Sequence, residues 1–255
     1  MTNNKYKVTF YKNENKIKVD YHEFNKFKNR VKPYVSVNRV LSKETWAMTL
    51  YQYLATLKRK RKLLHELYLP KDQCVFLTLT TEYPMLYDEI HSLFRLFMRN
   101  VNRYFPHTKY IRAIELFEKG IYFHLHILLI FENKVPDKMD EEWIAKHWKH
   151  GEFDFQRTCD PYGVIDYITQ VKKEKTMIEN SNRNTKFPKW IKLITCSQNI
   201  PKSPVEGVVY LNKEELDKLR KQFKQTNSFV YVDKHFYIDT QTGEYKECID
   251  HEYWH

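Results

Sequence analysis

Apolar and polar positions alternate along the start of the chain. Tyr6, Val8 and Phe10, then Ile17, Val19 and Tyr21, lie on either side of Asn13-Glu14-Asn15. Period-two runs around a turn-forming segment predict a β-hairpin. The period then lengthens. From Ser42 to Tyr68 the residues Trp46, Leu50, Tyr53, Leu54 and Leu57 recur at helical spacing, with Ser42 placed as N-cap. Gln73 to Thr81 (QCVFLTLTT) reads as a strand. Glu89 to Tyr104 reads as a helix with Ile90, Leu93, Phe94, Phe97, Met98 and Val101 on its apolar face. Lys109 to Phe117 is a strand, Glu118-Lys119-Gly120 a turn, and Tyr122 to Phe131 a second strand, followed by helices over Asp140 to His150 and Pro161 to Glu179.

The resulting β-α-β-β-α-α order predicts an α+β fold: a central antiparallel sheet with helices packed on one face. After Asn180 the chain turns polar, and Phe187 to Ile194 resumes a strand-like pattern. A short charged helix over Lys213 to Phe223 and a hairpin of Phe229 to Tyr237 with Glu244 to Ile249 close the sequence. The prolines within Gln198 to Pro204 mark a boundary. Three segments are expected: an accessory hairpin and basic helix over 1–68, a central domain over 69–204, and an extension over 205–255.

Composition narrows the class. The chain has 255 residues, 42% hydrophobic and 16% aromatic, a globular composition able to bury a sizeable core. Five glycines, with neither a G-x-x-x-x-G-K-[ST] nor a G-x-G-x-x-G pattern, argue against P-loop ATP hydrolysis. Cys74, Cys159, Cys196 and Cys248 are widely separated and form no C-x-x-C, so they read as reduced thiols. The N-terminus is polar and lysine-rich, and no apolar run approaches the roughly 20 residues that span a bilayer. A cytoplasmic protein without a membrane partner is expected. The formal charge of +11 suits a polyanionic partner, nucleic acid foremost, although an AT-biased coding sequence also inflates lysine. Lys58, Arg59, Lys60 and Arg61, in the block KRKRK, form a candidate phosphate-contacting surface, with a solvated helix face as the plain alternative.

The chemistry-bearing residues concentrate in YFHLHILLIF. His124 and His126 flank Leu125, so both imidazoles share one face of the strand while Leu125, Ile127, Leu129 and Phe131 take the other. The tight turn brings Glu115 beside them, and Glu118 is a rival carboxylate in the turn itself. Two imidazoles and a carboxylate with open positions suit Mn²⁺ or Mg²⁺, imidazole favouring Mn²⁺, with Zn²⁺ the alternative. A nucleophile that cuts DNA and keeps the end for rejoining must become a phosphodiester, and tyrosine serves. Tyr162 and Tyr167 lie in the predicted helix after Pro161 but do not closely share a face. Thr78 and Thr80 are structural or line the site. His147 and His150, three apart, read as surface residues.

ELFEKGIYFHLHILLIF resembles the carboxylate-strand, turn and His-hydrophobic-His motif of the HUH endonuclease superfamily, the rolling-circle replication initiators and their relatives. VFLTLTT (Val75 to Thr81) resembles the strand motif that precedes it in that family, and YGVIDYITQVKKEK (Tyr162 to Lys175) the tyrosine helix that follows, in the family's order. The resemblance implies an RRM-like, ferredoxin-like sheet. It also implies a Mn²⁺- or Mg²⁺-dependent enzyme that nicks and rejoins single-stranded or hairpin origin DNA through a 5′-phosphotyrosine and leaves a 3′-OH primer. At the matching positions it implies metal ligation by His124, His126 and Glu115, attack by Tyr167, and a structural or second-tyrosine role for Tyr162. Lys172 would help position the scissile group, and Lys173 and Lys175 would contact phosphate. Many family members place a lysine four residues after the tyrosine. Here Val171 stands there and Lys172 follows, a departure that bears on the lysine assignment.

Without a P-loop, strand opening falls to supercoiling, a hairpin origin or a host helicase, and extension of the 3′-OH to a host polymerase. Self-association is left open. A single-tyrosine transposase or a relaxase is the alternative within the superfamily, and the order of histidines before tyrosine disfavours the relaxase. A non-catalytic basic nucleic-acid-binding protein is the alternative outside it.

Overall fold

The computed structural model of the protein describes residues 6–12, 16–21, 47–48, 50–83, 85, 87–117, 122–157, 160–169, 187–188, 194–226, 230–238 and 245–254. The chain divides into two compact units, one formed by 42–202 and the other by 1–41 together with 203–255. This differs from the three segments expected from sequence. The two ends of the chain pair in one sheet, and the basic helix belongs with the central unit.

The terminal unit contains β1 (Tyr6–Tyr11), β2 (Ile17–Asp20), β10 (Val205–Leu211), α5 (Lys213–Thr226), β11 (Val230–Ile238) and β12 (Tyr245–Trp254), with an antiparallel sheet in the order β10-β1-β2-β12-β11. Val8, Ile17 and Val19 bury against Leu216 of α5 and Trp254. Asn212 and Glu215 cap α5 reciprocally, each side chain accepting from the other's backbone N–H at 3.0 and 2.8 Å. Buried Glu252 accepts from Arg220 Nη2 and Trp254 Nε1, both at 2.9 Å.

The central unit contains, in chain order, β3 (Ala47–Met48), α1 (Leu50–His65), β4 (Cys74–Thr80), α2 (Tyr87–Tyr104), β5 (Lys109–Phe117), β6 (Tyr122–Ile130), α3 (Glu141–His147), β7 (Phe153–Arg157), α4 (Pro161–Ile168), β8 (Phe187–Pro188) and β9 (Ile194–Cys196). Its main sheet is antiparallel throughout, in the order β7-β4-β6-β5-β9. Helix α1 starts at Leu50, not Ser42, because Ala47 and Met48 pair with Pro188 and Phe187; Ser42 lies outside the described residues. Helix α3 is shorter than expected. Asp140 caps it by accepting from Trp143 N at 2.8 Å, and Trp148 leaves the helix for the core. The described part of the 161–179 helix is α4. The edge strands β7 and β10 were not expected: β7 is short, and β10 is largely exposed, so neither shows a clean two-fold pattern.

Helices pack on both faces of this sheet, a correction to the one-faced arrangement expected. One face carries Val75, Leu77 and Leu79 of β4 with Leu125, Ile127 and Leu129 of β6, against Ile90, Phe94, Phe97, Met98 and Val101 of α2 and Ile144 of α3. The other carries Cys74, Ile111, Ala113, Leu128 and Ile130 against Leu57 and Leu64 of α1 and Tyr162 and Ile165 of α4. The reason lies in composition: both faces of β4 and β6 are apolar over part of their length, and each must be covered. Full burial of each Leu or Ile contributes about 1.5–3 kcal/mol.

Gly151 sets the close approach of the chain to the end of β4. Its φ is +154°, and a Cβ there would lie 2.5 Å from the Thr80 carbonyl oxygen and 2.9 Å from Glu82 N, both backbone atoms. That junction also holds Thr80 N to the Glu152 carbonyl at 2.9 Å and Glu82 N to the His150 carbonyl at 2.8 Å. Gly151→Ala should therefore lower stability by more than about 1 kcal/mol. Urea unfolding should show this as a lower midpoint at unchanged slope; an unchanged midpoint would mean that the junction yields freely.

Candidate active site

The second face of the main sheet changes character along its strands. Down β4 the residues on this face are Cys74, Phe76, Thr78 and Thr80, and they stand opposite Ile130, Leu128, His126 and His124 of β6. On the far side of β6, Ile111 stands opposite Leu128, Ala113 opposite His126, and Glu115 opposite His124. The apolar half is covered by α1 and α4. The polar half, with both histidines and both threonines, lies at the other end, and the last turn of α4 reaches it.

Tyr167 makes that reach. Its ring centroid is 5.4 Å from that of His126 and 6.0 Å from that of Phe76, edge-on to both. Phe76 and His126 are near-parallel at 6.0 Å. Tyr167 is 45% exposed while His126 is buried, so the phenol stands at the rim and the imidazole beneath it. Thr78 Oγ1 lies 3.2 Å from His126 Nδ1. That contact engages one ring nitrogen and orients the other, Nε2, as a ligand would need. Thr80 turns its hydroxyl to the Glu152 carbonyl at 3.0 Å.

The two imidazoles fit a shared divalent ion. Their centroids are 6.3 Å apart at an interplanar angle of 61°. An ion at about 2.1 Å from one nitrogen of each ring sits roughly 3 Å from each centroid, so this separation is at the outer limit of sharing. Glu115 occupies the ladder position opposite His124; its side chain is outside the described ones. Among the described residues, no group of three His, Cys, Asp or Glu side chains forms a metal cluster.

Other residues singled out in the sequence are placed differently. Tyr162 is buried, and its hydroxyl donates to the Leu67 carbonyl at 2.7 Å, a packing role away from the histidines. Lys58 and Arg59 are exposed on α1. Lys60 donates to the Ile194 carbonyl. Arg61 donates through Nε to Thr169 Oγ1 at 2.7 Å and stands 3.8 Å from Asp166 Oδ1. Lys172, Lys173 and Lys175 lie outside the described residues. His147 stacks on Trp143 at 3.9 Å.

One pair was missed in the sequence. Asp166 Oδ1 lies 2.8 Å from Nε2 of His65, both buried. A trace of it is present in the chain: Tyr162, Ile165, Asp166 and Thr169 fall on one helical face, and a carboxylate among otherwise buried positions needs a partner. Its partner, 101 residues away, leaves no local trace.

Residues 74–175 match a family model of replication-associated proteins, the ORF2 type. The matched stretch opens with β4, includes the histidine hairpin and α4, and ends at Lys175. The match supports a replication-initiator type of protein, with DNA as partner. No curated protein and no solved structure matches the chain. Among the described residues, no helix is long and apolar enough to cross a membrane.

Proposed function

We propose that this protein is a metal-dependent, HUH-type endonuclease that nicks single-stranded or hairpin origin DNA to start rolling-circle replication, and that Tyr167 is its nucleophile. The observation that supports this most directly is the Tyr167 ring standing 5.4 Å from the His126 ring, on the strand where Glu115 pairs with His124. With 19 tyrosines in the chain, this placement distinguishes Tyr167 from buried, backbone-bonded Tyr162.

His124, His126 and Glu115 would hold Mn²⁺ or Mg²⁺, His126 through Nε2. Such an ion, when bound, neutralises charge developing on the scissile phosphate. Thr78 keeps the His126 ring from rotating, and Phe76 supports it from beside. Tyr167 attacks the phosphorus: its oxygen–phosphorus bond forms, and the bond from phosphorus to the 3′ oxygen breaks. The phenol proton passes to water at the exposed rim, and the departing 3′ oxygen takes a proton from water. The products are a 5′-phosphotyrosine and a 3′-OH, which a host polymerase extends after a host helicase or supercoiling opens the strand. Attack of a 3′-OH on the phosphotyrosine reverses the step and rejoins DNA. Lys172, Lys173 and Lys175, which follow α4, and exposed Lys58 and Arg59 would contact phosphates.

Purified protein with Mn²⁺ should cleave an origin single strand and remain attached to its 5′ side, the adduct mapping to Tyr167 by mass spectrometry. Tyr167→Phe should abolish the adduct. The pair His124→Ala and His126→Ala should abolish cleavage with the fold intact by circular dichroism. An adduct that survives Tyr167→Phe, or full activity in EDTA, refutes the reading. Tyr162→Phe should behave oppositely, still forming the adduct while losing about 1 kcal/mol of stability with its hydrogen bond to Leu67. Thr78→Val should weaken Mn²⁺ binding by about 10- to 100-fold, measurable by calorimetry, because it removes the partner that orients His126.

A further inference from the structure

Helix α4 is eight residues long. A helix this short is not stable alone, and its apolar contacts with the sheet are non-directional, so they resist its rotation only weakly. Its directional contacts run to α1. Asp166 Oδ1 is 2.8 Å from Nε2 of fully buried His65 and 3.8 Å from Nε of Arg61. Arg61 extends past the carboxylate to Thr169, donating to its hydroxyl at 2.7 Å and to its carbonyl. Thr169 Oγ1 in turn donates to the Ile165 carbonyl at 2.6 Å, closing the last turn of the helix.

Asp166 immediately precedes Tyr167, and consecutive helical residues are about 100° apart around the axis. Fixing the azimuth of one fixes that of the other. A phenol oxygen roughly 8 Å from the axis moves by about 1.4 Å when a helix turns by about 10°. A misplacement of about 1 Å can cost on the order of 100-fold in rate.

We infer that Arg61, His65 and Asp166 form a positioning clamp, in which the basic helix α1 sets the rotation of α4 and so holds Tyr167 over His126. The inference rests on the proposed role of Tyr167. It assigns Arg61 to aiming the nucleophile and leaves phosphate contact to its exposed neighbours Lys58 and Arg59.

The test uses the full chain with 3-fluorotyrosine at position 167, in wild type and in Asp166→Asn and Arg61→Lys variants. Three quantities are read well below the melting temperature: the ¹⁹F shift of residue 167, the single-turnover rate of adduct formation with Mn²⁺, and origin-strand affinity. The fluorine reports its placement against the His126 and Phe76 rings without any cleavage. Each variant should move the ¹⁹F shift toward that of a solvent-exposed tyrosine and slow the adduct by about 30-fold or more, with affinity within about threefold. Should Asp166→Asn fail to fold, Arg61→Lys is read in the same way, since it keeps the charge but loses the fork. An unchanged ¹⁹F shift overturns the clamp, whatever the rate does, and so does a shifted resonance with the rate unaltered. If wild type forms no adduct, the nucleophile reading falls, and the ¹⁹F shift alone decides the clamp.

Discussion

The register of β6 between β4 and β5 is the constraint on which the rest of the central unit depends. Side chains alternate faces with a period of two, so a slip of one residue would turn Leu125, Ile127 and Leu129 out of the α2 core and drive both histidines into it. Burial opposes that slip from both sides. The three aliphatic residues are fully buried, and an imidazole transferred to a dry apolar layer without partners is costly. Thr78 opposite His126 and Glu115 opposite His124 follow from the same register. The apolar residues facing α2 thus fix where the polar ones on the opposite face stand.

That coupling explains why the site was legible before the structure. The period-two pattern of Tyr122 to Phe131 carries both the core and the site, and the hairpin turn makes the pairing with Glu115 local. Both are readable from a short window. Helix α2 was legible for the same reason, since its apolar stripe repeats at 3.6 residues. The placement of Tyr167 beside His126 joins elements about forty residues apart, and only the motif order suggested it.

What local patterns could not show was long-range pairing. The terminal sheet joins β1 and β2 to β10 and β12, strands at opposite ends of the chain. Their alternation predicted a hairpin at each end and nothing about partners. The second layer of helices was hidden for a related reason: Leu128 and Ile130 share a face with His126, and no local pattern marks where that face stops being solvent and becomes core. The basic block misled differently. Four adjacent cations point in several directions around a helix, so their charge sums in the sequence and separates in space. Lys60 and Arg61 turn inward to Ile194 and Thr169, while Lys58 and Arg59 remain exposed.

The two parts of the site are therefore held by different physics. Histidines on a central strand inherit their precision from a ladder paired on both sides and from a close-packed layer beneath, which a single side-chain change does not shift. The tyrosine sits on a short helix at the edge of that layer, where hydrophobic contact alone permits rotation. Directional polar contacts supply the missing restraint, and a buried carboxylate suits this because removing a partner leaves a desolvated charge. An ion site can be built into a sheet and tolerate only small motion. A nucleophile that must approach, bond and later release a phosphate gains from a mounting that is fixed at rest yet separate from the sheet. Placing Asp166 next to Tyr167 joins that mounting to the reacting group through one peptide bond.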